Sequence, residues 1–334
     1  MPREGGSATA RQPDGATRPV TVLCTGGVGR SGSTLLARMV GQLPHHVTIG
    51  ELVYLWELGL LRDHRCGCGA QFSNCPFWSE VGRLAFGGWP ALDRDAMLAL
   101  QRSVATTRRI PLLVVPWVVP SFRRRLDRYT ETLSRIYAAI AQVSGAAVIV
   151  DSSKHPAMLY VLRRTPGIDL RALHLIRDPR GVAYSWSKEM ERPERPGITF
   201  PRWPARTVSR RWITGNLLVA ALARLGVPVL RMRYEDLVQD PAGELNRVLR
   251  AESGRPLPDG PEFLHGDEAE LVPAHTLAGN PMRFRTGRIR LRADEAWRSS
   301  LPARKRRLVS TLTWGLRRYY GYTGPAPVPG RRPA

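Results

Sequence analysis

Residues 20–40 read VTVLCTGGVGRSGSTLLARMV. Val20, Val22 and Leu23 predict a buried strand, and the spacing of apolar side chains over residues 31–40 predicts a helix. Gly26, Gly27 and Gly29 allow the tight turn between them. A phosphate-sized anion suits the start of that helix, because unpaired N–H groups and the helix dipole both favour negative charge there. Arg30 is the only cation of the loop, and its planar guanidinium remains charged and matches an oxyanion in two places at once.

Gly27, Gly32 and Thr34 fall where the phosphate loop of ATPases has its glycines and hydroxyl, but Ser33 stands in place of that motif's lysine. The usual contact to a β- or γ-phosphate is therefore missing. Further along, four apolar segments end in polar or charged residues: 20–24, 146–150 before Asp151, 170–176 before Arg177, and 227–232 before Arg233. Each predicts a strand. Helical spacing falls between them at 51–61, 122–143, 158–164, 179–190, 206–225 and 241–251. Asp178 before Pro179 and Asp240 before Pro241 are helix starts, with aspartate as cap and proline at the first helical position. This alternation predicts an α/β fold, a P-loop-NTPase-like parallel sheet with helices on both faces. One domain over 19–323 is expected, with residues 1–18 as a disordered lead and 324–334 as a disordered tail. Ligands of such a sheet bind at the carboxyl ends of its strands, where Arg30, residues 151–154 and Arg177 fall. Residues 110–120, IPLLVVPWVVP, fit either a strand or an apolar wall beside an acceptor pocket, and Trp203, Trp212, Trp297 and Trp314 are expected to be packed.

The 334 residues carry a formal net charge of +22, and of 50 basic residues only Lys154, Lys188 and Lys305 are lysine. A positive balance attracts polyanions in general. The arginines are scattered, without an aromatic platform or a zinc-finger spacing, so no nucleic-acid partner is expected. No apolar run reaches the roughly 18 residues that span a bilayer, which leads to the expectation of a soluble, cytoplasmic protein without a transmembrane segment. Cys24 lies in the first strand. Cys66, Cys68 and Cys75 share the segment CGCGAQFSNCPFW, and three roles fit them: zinc ligation with a fourth group such as His64, partial disulfide pairing, or a compact loop.

A second oxyanion site is written in LHLIRDPRGVAYSWS, residues 173–187. Arg177 closes a strand, and Ser185 lies eight residues on, on a helical face that looks back to the arginine. Two such sites on one sheet suit a nucleotide with phosphates at both ends of its ribose. The GRSGST loop at 29–34, RDPRGVAYS at 177–185 and RYEDL at 233–237 resemble the sulfotransferases that use 3′-phosphoadenosine 5′-phosphosulfate, above all a bacterial branch similar to tyrosylprotein and carbohydrate sulfotransferases. The resemblance implies that Arg30, Ser31, Gly32, Ser33 and Thr34 hold the 5′-phosphosulfate, and that Arg177 and Ser185 hold the 3′-phosphate. It places Tyr234 in the adenine pocket. Gly279, Asn280 and Arg283 in HTLAGNPMRFRTG become a lid on the 3′-phosphate, although the Arg-Lys-Gly motif of the cytosolic branch is absent.

In the tyrosylprotein branch a Gly-Glu pair lies twenty-one residues beyond the loop arginine and supplies the base, and Gly50-Glu51 stands at that distance from Arg30. Glu51 is thus the expected base, with His155 as second choice. Lys154 matches the lysine near the leaving oxygen. The implied reaction moves a sulfuryl group in line to a hydroxyl, or less readily an amine, of a small-molecule, glycan, lipid or tyrosyl acceptor. No metal is required, since side-chain cations suffice for a group less charged than a phosphoryl. The rivals are a phosphate-loop kinase or nucleotide hydrolase, with Asp151 as its metal-holding carboxylate, and a non-catalytic binder of nucleic acid or anionic membrane.

Overall fold

The computed structural model describes residues 19–192 and 195–322; the expected lead and tail lie outside the described residues. The apolar run at residue 20 forms β1 (Val20–Gly27), and the chain continues through β2 (His46–Gly50), β3 (Val148–Lys154), β4 (Ile168–Ile176), β5 (Glu191–Arg192), β6 (Arg195–Thr199), β7 (Val229–Arg233), β8 (Leu264–His265), β9 (Glu268–Leu271) and β10 (Gly287–Arg290). Five of these make the main sheet, in the order β2-β3-β1-β4-β7. Its pairings are all parallel, with Cys24 of β1 level with Asp151 of β3 and with Ala172 of β4. β10-β9-β8 form a separate antiparallel ribbon, and β5 pairs with β6.

Successive side chains of a strand point to opposite faces. Val22 and Cys24 accordingly enter a core shared with the helices Pro76–Phe86, Arg94–Val104, Pro120–Ser144 and Pro156–Leu162, whereas Leu23 enters one shared with Ser33–Val40 and Pro241–Ser253. Helices therefore cover both faces, and β1 is buried on both sides, as its unbroken apolar run predicts. A third cluster gathers Val28, Ile176, Trp212 and Tyr322 around the carboxyl end of the sheet. Among the described residues no helix is long and apolar enough to cross a membrane.

Asp178 and Asp240 cap as expected, accepting from the backbone N–H of Arg180 at 2.8 Å and of Gly243 at 2.9 Å. Three expectations are corrected. Residues 110–120 are not a strand: Pro111 opens the helix Ile110–Val114, and Pro116 opens the turn Pro116–Val118, which leaves Trp117 and Val118 exposed. Residues 51–61 are a 3₁₀ turn, Leu52–Tyr54, followed by a π-helix, Leu55–Leu61, rather than an α-helix. Trp314 is exposed, because the closing helix Trp314–Tyr319 buries none of its residues.

Arg38, on the first helix, is buried although it is a cation. Its guanidinium donates to the carbonyl oxygens of Met282 at 2.9 Å and Val272 at 2.8 Å, and to that of Arg285. The helix behind the glycine loop is thereby tied to a segment more than 230 residues away.

His174 of β4 is buried and pairs through Nε2 with Asn216 Oδ1 at 2.9 Å. Burial pushes its imidazole down to about 4 from an ordinary 6.5, against the opposing pull of the Asn216 bond. Below 6.5 the unfolded chain takes a proton that the folded chain refuses, so stability is lost as pH falls from 6.5 and the loss levels off near 4. The difference in urea midpoint between the wild type and His174→Gln is expected to shrink over that window. A difference that stays constant with pH is incompatible with a neutral buried His174.

Candidate functional site

Between β1 and the helix Ser33–Val40 the chain turns with Arg30 at φ 73° and Gly32 at φ 92°. A Cβ on Gly32 would lie 2.4 Å from Tyr234 Cδ2, so only glycine lets the ring approach the loop. On the other side the indole N–H of Trp186 donates to Gly29 O at 3.1 Å, and Trp186 stacks on Trp203 at 3.7 Å. The Arg30 guanidinium lies 5.2 Å from the ring centres of both Trp186 and Phe200, and its Nη1 reaches Met190 Sδ at 2.9 Å. Burial lowers this guanidinium, and the charge of Glu51 acts the other way.

The second anchor touches the first. Arg177 follows β4, and its Nη1 donates to Arg30 O at 3.0 Å while its guanidinium stacks on the Tyr234 ring at 4.7 Å. Its Nη2 lies 3.4 Å from Asp294 Oδ2, the same oxygen that Lys188 Nζ approaches at 3.3 Å. Two cations converging on one carboxylate oxygen mark a place that favours an anion. Ser185 is half-buried on the helix Pro179–Ser187, which Arg177 precedes. Tyr234 donates its hydroxyl to Arg292 O at 3.2 Å. Glu235 of the RYEDL segment is a brace: it accepts from the backbone N–H of Asp178 at 3.1 Å and from Tyr322 Oη at 2.7 Å.

Glu51 leaves the end of β2, buried, and its Oε1 accepts from Lys154 Nζ at 2.5 Å. A Cβ on Gly279 would fall 3.2 Å from Glu51 Oε1 and 3.6 Å from Thr34 Oγ1, so the loop threonine and the glutamate face the same glycine. Lys154, like Arg30, has a left-handed backbone, φ 61°. Such a conformation costs a non-glycine residue roughly 1–2 kcal/mol, and strain of this kind collects at functional sites. His155 follows directly. Its ring meets that of Tyr54 edge-on at 6.1 Å, and its imidazole is lowered by the protein around it, with Glu51 opposing, even though the residue is accessible to solvent.

Asp151 and Arg283 are both buried. Asp151 is fully buried and accepts from Tyr137 Oη at 2.6 Å and from Ser153 through N at 2.8 Å and Oγ at 2.5 Å, with the Leu52 N–H as a further donor. Burial raises its carboxyl, and these bonds oppose the shift. Enclosed in this way, it presents no oxygen for a metal at the strand end. Arg283 is likewise buried, and donates to Thr276 O and Arg65 O, each at 2.8 Å, as a clamp between two loops. Asn280 caps the turn Pro281–Phe284 by accepting from Met282 N at 3.0 Å. Cys66, Cys68 and Cys75 gather around His275 rather than His64.

No protein-family model matches the chain. Carbohydrate sulfotransferase 6 of Homo sapiens is 33% identical over 181 residues, which are 49% of this chain and 45% of that protein. Carbohydrate sulfotransferase 5 of Mus musculus is 31% identical over 180 residues, with the same coverage. The chain thus spans about half the length of the curated relatives it matches, and is distantly related to sulfotransferases over that half. Among solved structures it is similar to the sulfotransferase domain from the Synechococcus PCC 7002 olefin synthase, at 20% identity over 91% of this chain and 98% of that one, with a TM-score of 0.41. The sulfotransferase domain from the curacin biosynthetic pathway matches at 16% identity, 89% and 98% coverage and a TM-score of 0.43.

The contact between Gly32 and Tyr234 is testable by a double-mutant cycle. Gly32→Ala is expected to cost about 1–3 kcal/mol of unfolding free energy through backbone strain and the displaced ring. Combined with Tyr234→Ala it should cost clearly less than the sum of the two single losses. Strict additivity in denaturant titrations would mean that loop and ring do not share this contact.

Proposed function

We propose that the chain transfers a sulfuryl group from 3′-phosphoadenosine 5′-phosphosulfate to a hydroxyl acceptor and releases adenosine 3′,5′-bisphosphate. The observation that carries this reading is the meeting of Thr34 with the Glu51–Lys154 pair around Gly279. A phosphate-type loop, a carboxylate and an ammonium thus share one end of the sheet. The distant relationship to carbohydrate sulfotransferases supports it.

In this scheme residues 30–34 hold the 5′-phosphosulfate through loop N–H groups, hydroxyls and the Arg30 guanidinium. Arg177 and Ser185 hold the 3′-phosphate, with Lys188 adding charge, and that phosphate takes the place of the Asp294 carboxylate on the two cations. Tyr234, in contact with Arg177 and Gly32, borders the adenosine between the two phosphates. The acceptor oxygen attacks sulfur as the bond from sulfur to the 5′-phosphate oxygen breaks in line, Glu51 takes the acceptor's proton, and Lys154 and Arg30 offset charge on the leaving oxygen and the sulfuryl group. The Lys154 contact keeps the carboxylate oriented before substrate arrives. These steps use side-chain cations alone, in keeping with the lower charge of a sulfuryl than of a phosphoryl group. Ser33 and the enclosed Asp151 weigh against phosphoryl transfer, which leans on a loop lysine and a metal-bearing carboxylate.

The test is transfer of labelled sulfuryl from the donor to a panel of phenolic, glycan and lipid hydroxyls, with ATP and magnesium as the competing donor system. Glu51→Gln is expected to bind adenosine 3′,5′-bisphosphate as the wild type does, and to lose about 10²–10⁴-fold in turnover. Arg177→Ala should weaken nucleotide binding by about 10–100-fold, the loss of a charge-assisted contact, and Ser185→Ala by less. Turnover with ATP and magnesium in place of the sulfuryl donor, or nucleotide affinity unmoved by both of the latter variants, would overturn the assignment.

A further inference from the structure

The segment after residue 64 is folded around its sulfur atoms. An isolated bridge joins Arg65 to Gln71, and within it Cys66 N donates to Ala70 O at 2.7 Å and Gly69 N to Cys66 O at 2.9 Å, a turn that brings Cys66 and Cys68 together. The 3₁₀ turn Phe72–Asn74 then returns the chain so that Cys75 stands just before Pro76, at the start of the helix Pro76–Phe86, where its sulfur accepts from the Trp78 N–H. The fourth member comes from the far end of the chain. His275 stacks on Phe77 at 4.9 Å with the rings 6° from parallel, and its segment is held by Gly67 N donating to Thr276 O at 2.9 Å and by the Arg283 clamp.

The three Sγ atoms and one imidazole nitrogen lie within 4.8 Å of one another. Cys68 Sγ is 3.8 Å from Cys75 Sγ, and His275 Nδ1 is 3.3 Å from Cys75 Sγ and 3.9 Å from Cys66 Sγ. A tetrahedron with metal–sulfur bonds of about 2.3 Å and metal–nitrogen bonds of about 2.0–2.1 Å has sulfur–sulfur edges of about 3.8 Å and sulfur–nitrogen edges of about 3.5 Å. These three separations are close to the edges of such a tetrahedron. They are far from the roughly 2.05 Å of a sulfur–sulfur bond. Cys66 and Cys75 are buried, and Cys68 and His275 half-buried, so a small tetrahedral ion would sit largely out of solvent.

We propose that Cys66, Cys68, Cys75 and His275 bind one zinc ion as a closed structural site. Three soft thiolates and an imidazole in tetrahedral array select zinc over the oxygen-preferring magnesium and calcium. With four protein ligands no position is open for substrate, and the role is that of a staple. It joins residues 66–75 to the segment carrying His275, and two residues further on Leu277 N donates to Ile49 O at 2.8 Å while Glu51 N donates to Leu277 O at 2.7 Å. The ion therefore secures the strand-like segment against which Glu51 is seated. The inference stands on the four side chains and holds whether or not the sulfuryl-transfer reading does.

The test is the metal content of the purified full chain, measured by elemental mass spectrometry. One zinc per chain is expected, released by titrating the thiols with an organomercurial, and Co²⁺ put in its place should give the strong visible absorption of a tetrahedral thiolate site. Removal of zinc should lower the thermal midpoint, and re-addition of ZnCl₂ alone should restore it. Cys68→Ser and His275→Gln should each lose the stoichiometric ion, whereas Cys24→Ala, outside the cluster, should keep it. Because the wild-type measurement does not depend on any variant folding, a cooperatively folded, zinc-free wild type whose midpoint ignores added ZnCl₂ overturns the proposal. A Cys68–Cys75 disulfide in the native chain does the same.

Discussion

A carboxylate buried at the centre of the molecule must be hydrogen-bonded, because an unpaired buried charge costs several kcal/mol. Asp151 meets that demand with Tyr137 Oη from the long helix, with N and Oγ of Ser153 from its own strand, and with the N–H of Leu52 from the turn after β2. The Ser153 hydroxyl also accepts from Val53 N at 3.0 Å. The turn that carries Glu51 is thus fastened to the strand that carries Lys154. The 2.5 Å contact between those two side chains is a consequence of the bonds made beneath them.

The other half of the site is joined in the same manner. Tyr234 lies against both Gly32 and the Arg177 guanidinium, Arg177 donates to the Arg30 carbonyl, and Glu235 holds the backbone of Asp178 together with Tyr322. The two anchors and the RYEDL segment form one connected unit at the carboxyl end of β1, β4 and β7. What reads in the sequence as three separate motifs is one packing arrangement, whose parts depend on a shared register of parallel strands.

The legibility of the chain followed the range of the forces involved. β1, β3, β4 and β7 were readable because a strand buried on both faces must be apolar throughout, and the two Asp-Pro helix starts because capping involves only neighbours. β2 is not legible: as a five-residue edge strand it offers little apolar pattern. Residues 110–120 misled because a proline-interrupted apolar run fits a short helix as well as a strand. His275 is not legible because 200 residues separate it from Cys75, whereas His64 lies beside the cysteines in the sequence. Arg283 shows the converse, since a motif position can be named from sequence while the direction of its guanidinium depends on which carbonyls the fold presents to it.

By itself, the sequence determined the parallel α/β arrangement and put Arg30, Lys154 and Arg177 at the carboxyl ends of its strands, because apolar periodicity, glycine turns and caps act over a few residues. Only the tertiary structure decided that Glu51 would pair with Lys154, that Arg177 would bond to the Arg30 carbonyl, and that a histidine from the last quarter of the chain would complete the three cysteines. Those are contacts between residues 103, 147 and 200 positions apart, two of them between side chains and one from a side chain to a backbone carbonyl. They exist only once the strands have taken their register and the buried polar groups have found their partners.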